Sequence, residues 1–342
     1  MLKEIHEQPI VAGELLHLLN GSRYVAPFLD ALQATGDRPV YLVGCGTSYH
    51  ACLLGAYYLN QIAGRPAVAV LGPQFIEQYN QSVGPQDTAV FVSQSGETKD
   101  VLNAIKVMRR RGGRVLGVLN VVGSSLAHAS DVYLPLACGY EISVPATKTF
   151  TNQAVLFLYL ATRLAGHDAA TLDPLPGLLA RTLDATDAAA REVAAYLHAW
   201  DDMYYLGYGL THPIALEGAL KLKEITYAHC EGIFSSEFKH GPLSAVHDGY
   251  PVLFITAPGD ESMMINHVNE VTTRGGRAIA LAAEDAALRS NVHDYLVIPE
   301  ADRPFAPILL TLPAQLVAYH MSVARGIDPD FPRNLSKTLT VD

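Results

Sequence analysis

The chain has 342 residues, enough for two domains of ordinary size, each with its own core. Apolar residues make up 49% and charged residues 17%, a balance that excludes a disordered chain. The formal net charge of −10 excludes nucleic acid as a partner, since its backbone needs a basic face. A small anion is not excluded, because a local pocket of N–H groups and lysines can oppose the global sign. Cys45, Cys52, Cys138 and Cys230 are scattered, with no CxxC pair, and the histidines are dispersed. No metal or cofactor is expected, and a reduced, cytoplasmic compartment fits. Met1 to Leu19 carries acids and a proline and is not a signal peptide, and no apolar run reaches spanning length, so no membrane contact is expected.

In chain order, residues 1–25 read as an N-terminal helical segment and 26–170 as a first domain. Within it Val40–Val43 is a predicted strand and Tyr49–Gln61 a helix. Ala67–Leu71 and Thr88–Val92 are strands, Asp100–Arg111 a helix, and Val115–Leu119 and Val132–Leu136 strands. Asn152–Leu164 closes the domain as a helix. Residues 171–200 form a linker built on the Ala-rich helix Leu179–Ala199, 201–330 a second domain closed by Ala314–Arg325, and 331–342 a polar tail. Short, continuously apolar strands between amphipathic helices predict an α/β fold, a parallel sheet with helices on both faces. Ligands of such sheets bind beyond the carboxyl ends of the strands.

The chain also repeats itself. Tyr41-Leu42-Val43-Gly44-Cys45-Gly46 matches Tyr204-Tyr205-Leu206-Gly207-Tyr208-Gly209 at a displacement of 163, the difference between 204 and 41. The same displacement carries Gly55-Ala56 onto Gly218-Ala219, Gly96 onto Gly259 and Arg111-Gly112-Gly113-Arg114 onto Arg274-Gly275-Gly276-Arg277. Such a register predicts two copies of one α/β unit related by internal duplication. Gly44-Cys45-Gly46 is no dinucleotide fingerprint, because the third glycine and the distant acid are missing.

Ser93-Gln94-Ser95-Gly96-Glu97-Thr98 lies between a strand and a helix, where helical N–H groups, the dipole and three hydroxyls suit a phosphate. A turn of this composition also caps an ordinary helix. Thr47 and Ser48, at the neighbouring strand-to-helix turn, add two more hydroxyls. In the second copy the turn becomes Thr256-Ala257-Pro258-Gly259-Asp260-Glu261, where proline removes a donor and two acids repel phosphate. Only the first copy is expected to hold an anion.

The second copy carries different chemistry. A helix from Ile214 to about His229 places Glu217, Lys221 and Glu224 on one face. Such spacing also describes a surface ion-pair ladder. Here Ile214, Leu216, Leu220, Leu222 and Ile225 leave little of the helix for solvent, which favours charges facing a polar cleft. His240, followed by Gly241-Pro242, sits in a rigid turn where imidazole can face a ligand, whereas His229, on the helix, reads equally as a packing residue. Lys337 in the tail, taken alone, reads as solvated.

Together these residues resemble the isomerase half of the glucosamine-6-phosphate synthase family (glutamine–fructose-6-phosphate aminotransferases), built from two SIS (sugar isomerase) domains. The resemblance is carried, in order, by CGTSYHA (45–51), SQSGET (93–98), EISVPATKTFTNQ (141–153), ALEGALKLKEITY (215–227), EFKHGPL (237–243) and FPRNLSKTLTVD (331–342). It implies a phosphosugar held by Ser48, Ser93, Gln94, Ser95 and Thr98, with Thr47 beside them, and catalytic roles for Glu224, His240, Lys337 and Lys221. His240 would open the sugar ring and Glu224 would shuttle the proton between C1 and C2. Lys337 would form an imine, and Lys221 would hold Glu224 or stabilise the intermediate. In this family the histidine enters from a neighbouring subunit, which implies a homodimer. Ala146 stands where the family has a serine near the sugar, so Val144 and Ala146 are expected to bear on substrate choice.

The family's full synthase begins with a glutaminase domain, for which a chain starting Met1-Leu2-Lys3 has no room, so glutamine-dependent synthesis by this chain alone is not expected. The expected reaction interconverts glucosamine 6-phosphate with fructose 6-phosphate plus ammonia, and a separate ammonia donor stays open. The alternatives are a fructosamine 6-phosphate deglycase and a non-catalytic phosphosugar sensor.

Overall fold

A computed structural model describes residues 1–337. They divide into two compact units. The N-terminal unit comprises Ile10–Glu141, Lys148–Pro174 and, at the end of the described residues, Ser336 and Lys337; the C-terminal unit comprises Met1–Pro9, Ile142–Thr147 and Leu175–Leu335. The first helix, α1 (Leu2–Gly21), is divided between them at Pro9.

In the N-terminal unit α2 (Val25–Gln33) leads to β1 (Val40–Gly44), α3 (Thr47–Gln61), β2 (Ala67–Leu71), α4 (Gly72–Tyr79) and β3 (Thr88–Ser93). α5 (Lys99–Arg110), β4 (Arg114–Leu119), α6 (Ser125–Ala129), β5 (Val132–Pro135) and α7 (Lys148–Leu164) follow. The five strands form one parallel sheet in the order β2-β1-β3-β4-β5. β1 and β3 are buried along their whole length, as the apolar runs 40–43 and 89–92 within them require. α5 buries Val101, Ala104, Ile105 and Met108, spaced three and four apart, and keeps its arginines at the C-terminal end.

The C-terminal unit begins with α8 (Leu175–Leu197), β6 (Asp202–Gly207), α9 (His212–Thr226), β7 (His229–Phe234) and β8 (Pro251–Ile255). It continues with α10 (Glu261–Thr272), β9 (Arg277–Ala283), α11 (Ala286–Arg289), β10 (Asp294–Ile298) and α12 (Ala306–Ala324). Its parallel sheet runs β10-β9-β8-β6-β7, strand for strand the order of the first. The repeat is visible in the backbone too. Gly46 and Gly209, one displacement apart, precede α3 and α9 with φ of 53° and 52°, a left-handed conformation that a side chain disfavours.

Most predicted boundaries fall within a few residues of these elements. Two differ. α12 starts at Ala306 rather than Ala314, because the helix continues through Pro313. α9 stops at Thr226, so His229 lies on β7 and not on a helix. Its side chain is 70% exposed, which also removes the packing role. The stop is made by Tyr227, left-handed at φ 60° without being glycine. Arg333 holds it there, stacked at 4.0 Å from the ring centroid and donating its N–H to the phenol oxygen at 2.9 Å.

α12 is long and apolar enough to cross a membrane by length and composition, contrary to the sequence reading. It is a core helix instead: 83% of that span is buried, against α8 and α9.

In both sheets the strand order reverses between two neighbours, β1 and β3 in one and β6 and β8 in the other. The turns leaving those strands therefore flank a crevice at the carboxyl edge of each sheet.

Candidate active site

At the reversal point of the N-terminal sheet stand the turn after β1, with Thr47 and Ser48, and the turn after β3, with Ser93 to Thr98. Ser93 Oγ accepts the Gly96 N–H at 3.0 Å and shares a hydrogen bond with Thr98 Oγ1 at 2.8 Å. Ser95 Oγ accepts the Glu97 N–H at 3.2 Å. The hydroxyls thus shape the turn as acceptors, and the Ser95 proton is left to donate. Thr98 is the N-cap of α5, whose first turn presents N–H groups that a helix cannot pair internally. Ser48 is buried, and Gln153 Nε2 on α7 donates to its Oγ at 3.0 Å, fixing the hydroxyl at the start of α3.

The 120–126 loop supports the turn from behind. Asn120 N–H bonds the Gln94 carbonyl and Leu126 N–H the Gly96 carbonyl, both at 3.0 Å. Glu97 accepts the Ser125 N–H at 2.7 Å, and that bond holds its carboxyl below the usual carboxylate range. Gly96 has φ 69°, and an added Cβ would overlap Ser124. Beside the turn lies a cavity of about 320 Å³ lined by Gln94, Asn120, Val121, Val122, Gly139, Tyr140 and Glu141. Lys337 reaches its wall: Nζ lies 2.6 Å from Glu141 Oε2. A larger cavity, about 560 Å³, lies toward the far end of α5, among Ile76, Asn103, Lys106, Val107, Arg109 and Arg110.

In the C-terminal unit α9 carries the acid–lysine–acid face. Lys221 Nζ is 2.6 Å from Glu224 Oε2 and 3.4 Å from Glu217 Oε1. The Lys221 and Glu217 side chains are each 1% exposed and Glu224 20%, so this is no surface ladder. Burying such a group weakens the fold unless its partners are well placed, which favours a functional reason for keeping it. His240 is exposed at the end of the short 3₁₀ segment Ser235–His240, anchored by buried Phe238. Val144 and Ala146 are half-buried in the same unit, in a loop whose Val144 N–H bonds the Asp330 carbonyl at 2.9 Å.

The structure thus brings the hydroxyl turn after β3, Ser48 and Lys337 into the N-terminal unit, and Lys221 with Glu224 into the C-terminal one. Glu141 was missed as an individual residue by sequence reasoning; its only signal was its place at the head of the EISVPATKTFTNQ stretch. At the corresponding turn of the second sheet the acids act internally. Gly259 N–H donates to Glu261 Oε2 at 2.8 Å, and Arg303 Nη2 donates to both carboxylate oxygens of Asp260, at 2.9 and 2.8 Å. No group of three or more potential ligands is assembled for a metal among the described residues, and the four cysteines are free thiols.

The profile of the SIS domain family matches residues 36–163 and 196–325. The chain belongs to the SIS domain family. Both α/β units carry one SIS domain, and each is a five-stranded parallel sheet flanked by helices. The SIS pair is 41% identical to the glutamine–fructose-6-phosphate aminotransferase (isomerizing) of Pyrobaculum aerophilum, over the whole of this chain and 57% of that protein. The chain therefore spans little more than half the length of the curated relatives it matches. Among solved structures it superimposes on the C-terminal domain of glucosamine-fructose-6-phosphate aminotransferase from Francisella tularensis with a TM-score of 0.88 and 30% identity, covering 97% of this chain and 98% of that one. The glucosamine-6-phosphate deaminase of Thermotoga maritima follows at TM-score 0.80 and 26% identity, covering 99% and 98%.

Proposed function

We propose that this SIS pair is a phosphosugar isomerase that acts on amino sugars, converting glucosamine 6-phosphate and water to fructose 6-phosphate and ammonia. The observation that supports the reading is the pairing of buried Lys221 with Glu224, since phosphate binding by itself needs no such acid–lysine couple. The likeness to the Thermotoga maritima deaminase, whose chain is covered almost in full, supports the direction. The turn after β3, with Thr47 and Ser48, takes the phosphate. His240 moves the proton that opens the ring, and its exposure suits entry into a neighbouring subunit of a homodimer. Glu224 takes the C2 proton and returns it at C1, leaving an imine at C2. Lys221 holds the Glu224 carboxylate for that transfer. Lys337 displaces ammonia from the imine, and hydrolysis of the new imine releases fructose 6-phosphate and restores the lysine. Val144 and Ala146 bear on which sugar is accepted.

The test is ammonia release from glucosamine 6-phosphate by the wild type and by Glu224→Gln. Loss of roughly 10²–10⁴-fold in the variant, with sugar binding kept, is the expected result. An unaffected variant would remove Glu224 from the reaction. A second reading, deglycation of fructosamine 6-phosphates, is favoured by the exposed Val121, Val122 and Tyr140 around the cavity beside Gln94. Such an apolar rim suits a substituent on the amine. Faster turnover of fructosyl-amino acid 6-phosphates than of glucosamine 6-phosphate would decide for it.

A further inference from the structure

We infer that Glu141 is the positioning residue of Lys337, a buried carboxylate that pins the lysine at the wall of the cavity beside the anion turn. What Lys337 does there rests on the proposed function; where it is held rests on geometry.

The Glu141 side chain is fully buried. Its Oε1 accepts the Thr149 N–H at 3.2 Å, and its Oε2 accepts the Thr149 hydroxyl at 2.8 Å. Thr149 is itself buried in the first turn of α7, so the carboxylate is anchored to a helix N-terminus, where negative charge is favoured. Its Oε2 then takes Lys337 Nζ at 2.6 Å. The neighbouring backbone is tied down as well, because Lys148 Nζ donates to the Tyr140 carbonyl at 2.6 Å. One carboxylate thereby joins the start of α7, the tail lysine and a cavity wall shared with Gln94 of the anion turn. A lysine has a long, flexible stem, and an amine that must meet an imine carbon reacts fast only when that stem is held. The charge-assisted bond to Glu141 supplies the holding.

The experiment compares wild type with Glu141→Gln, which keeps the shape and can still accept the Thr149 N–H. Thr149→Val, which leaves the carboxylate but removes one donor, serves as the second variant should Glu141→Gln not fold. Trinitrobenzenesulfonate labelling followed by peptide mass spectrometry reads Lys337 without reference to activity. Lys337 should label roughly tenfold faster in Glu141→Gln and less so in Thr149→Val, with other lysines unchanged. For glucosamine 6-phosphate, kcat should fall roughly tenfold to a hundredfold while KM stays within about threefold, because the phosphate turn is untouched. Borohydride trapping of a substrate adduct on Lys337 should fall with kcat. Unchanged Lys337 labelling in the folded variants overturns the inference, as does faster labelling with undiminished turnover. A wild type that neither releases ammonia nor traps an adduct, with Lys337 still freed by Glu141→Gln, overturns the proposed reaction and leaves the docking of Lys337 standing.

Discussion

Gly96 leaves little room for change at the turn after β3, since its φ is left-handed and Ser124 fills the place of a side chain. Gly96→Ala should destabilise the protein by roughly 1–3 kcal/mol and, on the proposed function, abolish thermal stabilisation by fructose 6-phosphate. Melting curves with and without the sugar check both. His267, buried on α10, has its pKa lowered by burial, an effect that Glu270 partly offsets. The unfolded chain then accepts a proton that the native state resists. Stability is complete above the ordinary histidine value of about 6.5 and falls as the pH drops below it, until the native histidine is protonated too. Urea midpoints compared at about pH 7.5 and 5.5 should show a smaller loss in His267→Gln than in wild type.

At the scale of elements, α12 is held by apolar packing with a polar tie from His320 to Asp187 at 2.8 Å, and Leu309→Ala, at a fully buried position, should cost roughly 2–5 kcal/mol in chemical denaturation. Strands and most helices could be read from the chain because their apolar periods are local. The end of α9 could not. Thr226-Tyr227-Ala228 contains no glycine or proline, and left-handed Tyr227 is contacted at its ring and hydroxyl by Arg333, more than a hundred residues on. The start of α12 was hidden for the opposite reason: Pro313 looks like a break, yet burial on all sides keeps the helix intact through it. Of the candidate residues, the hydroxyl turn and the α9 face were legible as spacings, whereas the Glu141 partnership with Lys337 spans 196 positions and has no local signature.

At the scale of the molecule, the duplicated register seen in the sequence reappears as two sheets of one strand order, with the paired glycines in matching conformations. The copies differ at the turn that would hold phosphate. In the C-terminal sheet Glu261 and the Asp260–Arg303 pair take the places an anion would use. Calorimetric titration with fructose 6-phosphate should therefore give about one site per chain, not two. The Glu217–Lys221–Glu224 face bears on engineering. Ionic groups buried in this way are often outdone by apolar side chains of equal volume, so Leu, Met and Leu at these positions should raise the unfolding free energy by roughly 1–4 kcal/mol. That triple variant would be sturdier and inert. Selection for heat tolerance alone would drive the chain toward it, and only a simultaneous screen for turnover would hold the three charges in place.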